Sequence, residues 1–287
     1  MFKIIRKECI GPDVTEYEIL APRIAKARKP GQFVILRPYD HSERIPLTVA
    51  ETNPDAGTIS LIVQTVGKTT LEMAQTPAEK GFQDVVGPLG HPSHIENFGR
   101  VVCIGGGLGA AVIYPQAVAL RDAGNEVISI IGARTKDLIL LENHLRRVSD
   151  DVILTTDDGS VGRKGFVTDA LKSLLDDHDH PIGAVYCAGP VIMMKAVAET
   201  TRPAKIPTIV SLNPIMVDGT GMCGGCRVTI DGQTKFACVD GPEFDGHLVD
   251  YDELMDRLTT YRNMEQRSRQ QYEQHECKLQ KKIDSLS

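Results

Sequence analysis

The sequence lacks a long block of lysine or arginine, an apolar run free of helix breakers, an internal repeat and an even set of cysteines. Each absence removes a class of protein. The formal charge is −6, from 32 basic and 38 acidic residues. With no basic row to neutralise phosphates, a nucleic-acid partner is not expected. The opening stretch MFKIIRKECIGPDV has basic residues but no apolar core of a secretory signal, so a cytoplasmic location is expected. Val101 to Leu120 is uncharged and long enough to cross a bilayer, but Gly105, Gly106, Gly107, Gly109, Pro115 and Gln116 interrupt it. No membrane span is expected. The 7 cysteines, Cys9, Cys103, Cys187, Cys223, Cys226, Cys238 and Cys277, are odd in number and unevenly spread, which argues against a disulfide framework.

What remains is ordinary globular composition, 41% apolar and 24% charged over 287 residues, enough for two core domains with appendages. Up to about Asn97, short apolar runs alternate with turn residues: Val14–Leu20, Gln32–Arg37, Ile45–Val49, Thr58–Gln64 and Phe82–Val86. This spacing predicts an antiparallel β-barrel interrupted by a single helix near Thr69–Gln75. From Arg100 the style changes to strand, glycine turn and helix in alternation, which predicts an α/β doubly wound parallel sheet. The boundary is placed at Asn97–Gly99. The resulting division is residues 1–98 for the barrel, 99–214 for the α/β domain, 215–249 for a Gly- and Cys-rich segment, and 250–287 for a C-terminal helical tail. In the tail, Tyr251, Leu254, Met255, Leu258, Tyr261 and Met264 recur at helical spacing, and beyond Gln266 the sequence is polar enough for a solvated helix or disorder.

The strongest chemical signal is Asp218-x4-Cys223-x2-Cys226-x11-Cys238. Plant-type 2Fe-2S proteins use C-x4-C-x2-C and a distant fourth cysteine, so here an aspartate stands at the first ligand position. Gly219, Gly221, Gly224 and Gly225 give backbone N–H groups access to an anionic cluster. A carboxylate is a harder ligand than a thiolate and is expected to alter the cluster potential. A zinc knuckle is the competing reading of the same residues.

A second signal is Gly105-Gly106-Gly107-Leu108-Gly109, which follows the strand Val101–Ile104 and opens a helix, the arrangement that brings backbone N–H groups to a pyrophosphate. Thr155, Thr156, Asp157, Asp158 and Gly159, and then Cys187, Ala188, Gly189 and Pro190, also follow apolar strands. Ligands in an open parallel sheet sit just outside such carboxyl ends. Arg134 suits a 2'-phosphate and Asp157 and Asp158 repel one; the reading favours NAD(H), with NADP(H) as the alternative. Cys187 is read either as touching the nicotinamide or as a small buried hydrophobe.

The order of PGQF (Pro30–Phe33), RIPLT (Arg44–Thr48), IVQTVGKTT (Ile62–Thr70), GPLG (Gly87–Gly90), GGGLG and CAGPVIMM (Cys187–Met194) resembles the ferredoxin-NADP reductase superfamily. With its cluster segment the chain is similar to two subgroups, the electron-transfer subunit of dihydroorotate dehydrogenase and the small subunit of NADH-dependent reduced ferredoxin:NADP oxidoreductase. The aspartate in place of a fourth cysteine favours the latter. The resemblance implies FAD on Arg44, Pro46, Leu47, Thr48, Val63, Gln64, Gly67, Lys68, Thr69 and Thr70. Arg44 would meet the pyrophosphate and Thr48 would approach flavin N5, with Leu47 where an aromatic normally stacks. It implies a nicotinamide nucleotide on Gly106, Gly107, Leu108, Gly109, Arg134, Thr155, Asp157, Asp158, Cys187, Ala188, Gly189 and Pro190, and a 2Fe-2S cluster on Asp218, Cys223, Cys226 and Cys238.

No side-chain acid or base is then expected, because hydride moves between cofactors. The implied partner is a larger subunit with a second flavin and 4Fe-4S clusters, through which the chain meets ferredoxin in an electron-bifurcating complex. A dihydroorotate or sulfide dehydrogenase subunit is the neighbouring reading. A cofactor-free interaction module built on a zinc knuckle is the reading of another class.

Overall fold

The computed structural model describes residues 1–284, with side chains to residue 274. Seven strands build the first sheet: β1 Phe2–Gly11, β2 Val14–Leu20, β3 Phe33–Arg37, β4 Ile45–Asn53, β5 Thr58–Gln64, β6 Gly81–Phe82 and β7 Asp84–Leu89. They run antiparallel in the order β6-β1-β2-β5-β4-β3-β7, a nearly closed barrel. Alternation drives the closure, since Tyr17 and Ile19 of β2 point inward with Leu36, Val49, Leu61 and Phe82, while Val14 packs against the α/β half.

Two elements escape the sequence pattern. β1 buries only Ile4, and its exposed Lys3, Arg6 and Glu8 and half-buried Lys7 hide its strand character. The single expected helix is joined by another. Helix α1, Pro22–Ala27, starts on a proline preset for a first turn and buries Ile24 and Ala25, while α2, Lys68–Gln75, is the expected one.

The second sheet contains β8 Arg100–Gly106, β9 Glu126–Ala133, β10 Asp151–Thr156, β11 Arg163–Lys164, β12 Ile182–Ala188 and β13 Thr208–Ser211, paired in parallel in the order β11-β10-β9-β8-β12-β13. Helices α3 Gly109–Asp122, α4 Glu142–Val148, α5 Val167–Leu175 and α6 Val191–Thr201 cover it. The central strand is apolar throughout because both faces are covered, and Val101, Val102, Cys103 and Ile104 are all fully buried. After β13 the chain leaves the sheet, makes the hairpin β14 Arg227–Ile230 and β15 Gln233–Phe236, passes through α7 Ala237–Asp240, and returns as β16 Glu243–Asp245. That last strand pairs antiparallel on β13 and closes the sheet edge.

The apolar stripe of the tail divides between two helices. Tyr251 and Leu254 of α8, Tyr251–Thr259, are buried in the core that the parallel sheet shares with the hairpin, while Tyr261 and Met264 are exposed. Helix α9, Arg262–Asp284, leans on the barrel instead, with Arg269 Nη1 donating to Val66 O at 2.9 Å and the Tyr272 hydroxyl donating to Gln75 Oε1. The polar end is therefore helical as far as Asp284, and residues 285–287 lie outside the described residues. Among the described residues, no helix is long and apolar enough to cross a membrane.

The glycine turn is sterically committed. A Cβ on Gly109 would lie 2.0 Å from Ala188 O, and one on Gly105 would lie 2.6 Å from the Ala110 Cα. Gly67, by contrast, has nothing within 4 Å of a built Cβ. Gly109→Ala is expected to destabilise the chain by about 2 kcal/mol or more through overpacking. Gly67→Ala should cost less than about 1 kcal/mol, as an N-cap exchange in open space. Chemical denaturation of the two variants against the parent checks the ordering.

Candidate functional site

A cavity of about 950 Å³ opens between the barrel and the parallel sheet. That is at the upper end of the range for small-molecule sites, roughly 300–1,000 Å³. Pro46, Leu47 and Thr48 of β4 and Gln64 at the end of β5 line its barrel side. Gly106, Gly107, Leu108 and Gly109, then Arg134, Thr155 and Asp157, then Ala188, Gly189 and Pro190 line the other, each group at the carboxyl end of a parallel strand. Fourteen sequence-predicted residues thus face one space.

The remaining candidates stand elsewhere. Arg44 is exposed just before β4, and Val63 points into the barrel core while its neighbour Ile62 lines the cavity. Cys187 is buried in the core behind the cavity, where desolvation raises its thiol pKa and keeps it protonated. Asp158 turns back on its own loop, accepting from Ser160 N at 2.9 Å and Ser160 Oγ at 2.6 Å. Those bonds hold its carboxylate below the usual range. Asp157, by contrast, lines the cavity.

Gly67, Lys68, Thr69 and Thr70 form the start of α2, beyond the lining but continuous with it through β5. Thr70 Oγ1 accepts from Val66 N and Gly67 N, both at 2.9 Å, which fixes the turn. The amides of the first helical turn have no carbonyl partner within the helix, and the buried Thr69 Oγ1 has no hydrogen-bond partner. An open set of donors at a helix N-terminus fits a pyrophosphate. The exposed face of Gly107, with φ of 54° and nothing within 4 Å of a built Cβ, offers a second nucleotide the same approach.

Several cavity residues gave no sequence signal. Phe166 and Ile192 flank the nucleotide side, and Ser211, Asn213 and Met216 bring the segment after β13 to the wall. The run of β13 into Asn213-Pro214, another strand followed by a turn, is the one cue that could have drawn attention to them.

The proposed cluster ligands lie as two pairs. Cys226 Sγ and Cys238 Sγ are 3.2 Å apart and buried, while Cys223 Sγ is 3.4 Å from Asp218 Oδ1 at the surface. Backbone amides converge on them. Gly225 N reaches Cys223 Sγ at 3.5 Å, Cys238 N reaches Cys226 Sγ at 3.4 Å, and Cys223 N donates to Asp218 Oδ2 at 3.0 Å. The bond from Thr220 N, with those from Cys223, holds the Asp218 carboxyl below its ordinary value, so it is ionised as a ligand must be. Among the described residues, no three such side chains converge on a single metal ion. Two pairs suit a cluster in which each of two irons takes two protein ligands, and a mononuclear zinc site, which needs four donors around one point, is the poorer fit.

Fold and site together define an electron carrier of ferredoxin-reductase type, with sites for FAD, NAD(H) and an appended 2Fe-2S cluster. The pattern of the iron-sulfur cluster binding domain of dihydroorotate dehydrogenase B matches residues 213–250. An electron transfer subunit homolog of dihydroorotate dehydrogenase B from Thermotoga maritima is 50% identical over 94% of this chain and 95% of its own. The dihydroorotate dehydrogenase B electron transfer subunit of Desulforamulus reducens is 32% identical over 84% and 94%. The chain belongs to this family of electron-transfer subunits. Among solved structures, one of an NADH-dependent reduced ferredoxin-NADP oxidoreductase, described in connection with flavin-based electron bifurcation, superposes with a TM-score of 0.89 at 48% identity, covering 95% of this chain and 98% of that one. The ferredoxin reductase of carbazole 1,9a-dioxygenase shares the fold, with a TM-score of 0.55 at 18% identity over 72% and 65% of the two chains.

Removing one member of the buried pair should remove the cluster. Cys226→Ala is expected to take iron from about two per chain to near zero. Asp218→Cys should keep the iron and move the g-values of the reduced centre. Iron quantification and low-temperature EPR on the same samples check both.

Proposed function

We propose that this chain is the NADH-reacting electron-transfer subunit of a larger oxidoreductase, exchanging electrons between NAD(H) and a partner subunit that carries its own flavin and 4Fe-4S clusters and meets ferredoxin. The observation that supports this best is that one cavity is walled by the barrel, by the carboxyl ends of the parallel strands and by the segment that holds the cluster ligands. We assign residues 1–98 to flavin, 99–214 to the nicotinamide nucleotide, 215–249 to the cluster and 250–287 to a helical tail.

When bound, FAD supplies the exchange between two-electron hydride chemistry and the one-electron chemistry of the cluster. The protein contributes position and electrostatics. Thr48 presents its hydroxyl from β4, and its ladder partner Phe33 on β3 stiffens the same wall. Leu47 stands where the superfamily places a stacking aromatic, so flavin contact there rests on apolar packing alone. The donors at the start of α2 would take the flavin pyrophosphate, and the exposed Arg44, two residues before the cavity-lining Pro46, would add a cation to it. On the other wall, Gly106, Gly107 and Gly109 take the nicotinamide nucleotide pyrophosphate, and Ala188, Gly189 and Pro190 border its reacting end. Asp157 sits where a carboxylate accepts from ribose hydroxyls and repels a 2'-phosphate, while Arg134 offsets part of that repulsion. Their balance supports NAD(H).

The ligand pairs differ in depth. Cys226 and Cys238 lie within the core that reaches the cavity through Met216, and Asp218 and Cys223 lie at the surface beside the exposed Met222. The buried pair would hold the iron on the core side and the exposed pair the iron on the surface side. The homologue from Desulforamulus reducens, named as a dihydroorotate dehydrogenase subunit, keeps a second reading open for the partner. The 48% identity to the NADH-dependent reduced ferredoxin-NADP oxidoreductase favours the first.

Anaerobic addition of NADH is expected to bleach the bound flavin and then develop the EPR signal of the reduced cluster. A flavin that stays oxidised under excess NADH would refute the proposal. Asp157→Ala should raise the preference for NADPH over NADH by roughly tenfold, the scale of about 1.4 kcal/mol for one lost charge contact. Initial bleaching rates with the two nucleotides measure it.

A further inference from the structure

Residues 90–99, which connect the barrel to the parallel sheet, have no regular structure of their own. Hydrogen bonds hold them in place. His91 N–H donates to Gly241 O at 2.6 Å, Ser93 N–H to Pro30 O at 2.9 Å, the Tyr186 hydroxyl to His94 O, Asn125 Nδ2 to Glu96 O at 2.9 Å and Phe98 N–H to Asn125 Oδ1 at 2.7 Å. At the centre, Ser93 Oγ donates to Glu243 Oε1 at 2.7 Å, and the same oxygen accepts from Gln116 Nε2 at 2.7 Å. A Cβ on Gly31 would lie 3.0 Å from this oxygen, so the turn before β3 packs against it as well.

One carboxylate oxygen therefore gathers three parts of the cavity wall. Gln116 stands on α3, two turns beyond the glycine turn that starts it. Ser93 and Gly31 belong to the barrel side, where Phe33 and Thr48 line the cavity. Glu243 itself pairs with Ser211 across β13 and β16 and follows Pro242, and both neighbours line the cavity. Gln116 is buried, and its Oε1 has no hydrogen-bond partner, so the bond to Glu243 is what orients its amide. Glu243 is half-buried, yet desolvation dominates its environment and lifts the carboxyl above the usual range against the opposing bonds from Gln116 and Ser93. An apolar residue of similar volume would cost less to place here. What the carboxylate adds is a fixed geometry between segments far apart in sequence.

We propose that Glu243 is a positioning residue for electron transfer: its bonds to Ser93 and Gln116 hold the glycine turn and the cluster segment in register with the flavin wall of the barrel. The inference rests on the function proposed above. A misplacement of about 1 Å between reacting groups costs on the order of 100-fold in rate, so the latch is expected to act on rate rather than on affinity.

The test uses the full chain with flavin and cluster bound, mixed anaerobically with NADH in single turnover. Glu243→Ala is expected to lower the limiting rate of flavin bleaching by about 10- to 100-fold, with flavin content, iron content and the NADH half-saturation close to those of the parent. Glu243→Gln keeps a carbonyl that accepts both bonds and should restore the rate to within about threefold. Amide hydrogen exchange of residues 90–99 and of α3 should quicken in Glu243→Ala and not in Glu243→Gln. A parental rate in Glu243→Ala at matched flavin content would overturn the proposal. So would a Glu243→Gln variant as slow as Glu243→Ala, because charge and not the two bonds would then matter. Should Glu243→Ala be recovered without flavin, Ser93→Ala and Gln116→Leu serve in its place, and parental rates in both overturn it. A parent protein that NADH does not bleach would sink the functional reading instead, and the exchange comparison would then decide the latch alone.

Discussion

The first turn of α3 lies so close to the end of β12 that no side chain fits between them. Gly109 meets the Ala188 carbonyl, and Gly106 meets Met193 and Pro190. This approach makes the floor of the cavity, since both sides of the contact line it. It also fixes α3, and α3 in turn carries the contacts that join the two halves of the molecule. Tyr114 donates to Glu51 Oε1 on β4 at 2.8 Å, and Gln116 donates to Glu243. A bulkier residue in the turn would therefore disturb more than a phosphate site. It would shift the helix on which the barrel and the cluster segment are both registered.

The cluster segment solves a different problem, which is how to gather negative charge at the surface of a chain that is already acidic. Its answer is backbone. Gly221 and Gly224, with φ of 82° and 67°, take left-handed turns that a side chain would strain, and the amides so released face Asp218 and the thiols. As a proposed ligand, the aspartate would add a harder donor on the exposed pair and leave the buried pair all sulfur, so the two iron positions would differ in both ligand and solvent access.

Much of this is legible in the sequence where the signal is local. The glycine turn follows an apolar strand, the proposed ligand spacing spans only a few turns of chain, and the strands Val14–Leu20 and Thr58–Gln64 are apolar runs set off by turn residues, with the bounds expected of them. The misses share one cause. β1 is a charged strand with one buried residue, and its pairing with β2 rather than its own pattern makes it a strand. Phe166 reaches the cavity from the residue just before α5, where no apolar strand marks it. The bond from Ser93 to Glu243 joins residues 150 positions apart, and nothing in either neighbourhood announces it. Cys187 shows the converse, where a motif position next to the cavity turns its side chain into the core.

The return of the chain as β16 has a consequence for how the protein is made. β13 ends at Ser211 and its edge partner begins at Glu243, and all four proposed cluster ligands lie on the excursion between them. A chain emerging from the ribosome completes the parallel strands first and seals the sheet only after the iron-binding loop has been synthesised and has folded back. Until then β13 presents unpaired backbone groups, the kind of open edge along which chains associate wrongly. Closure of the sheet edge is thus tied by connectivity to the segment that would hold the iron.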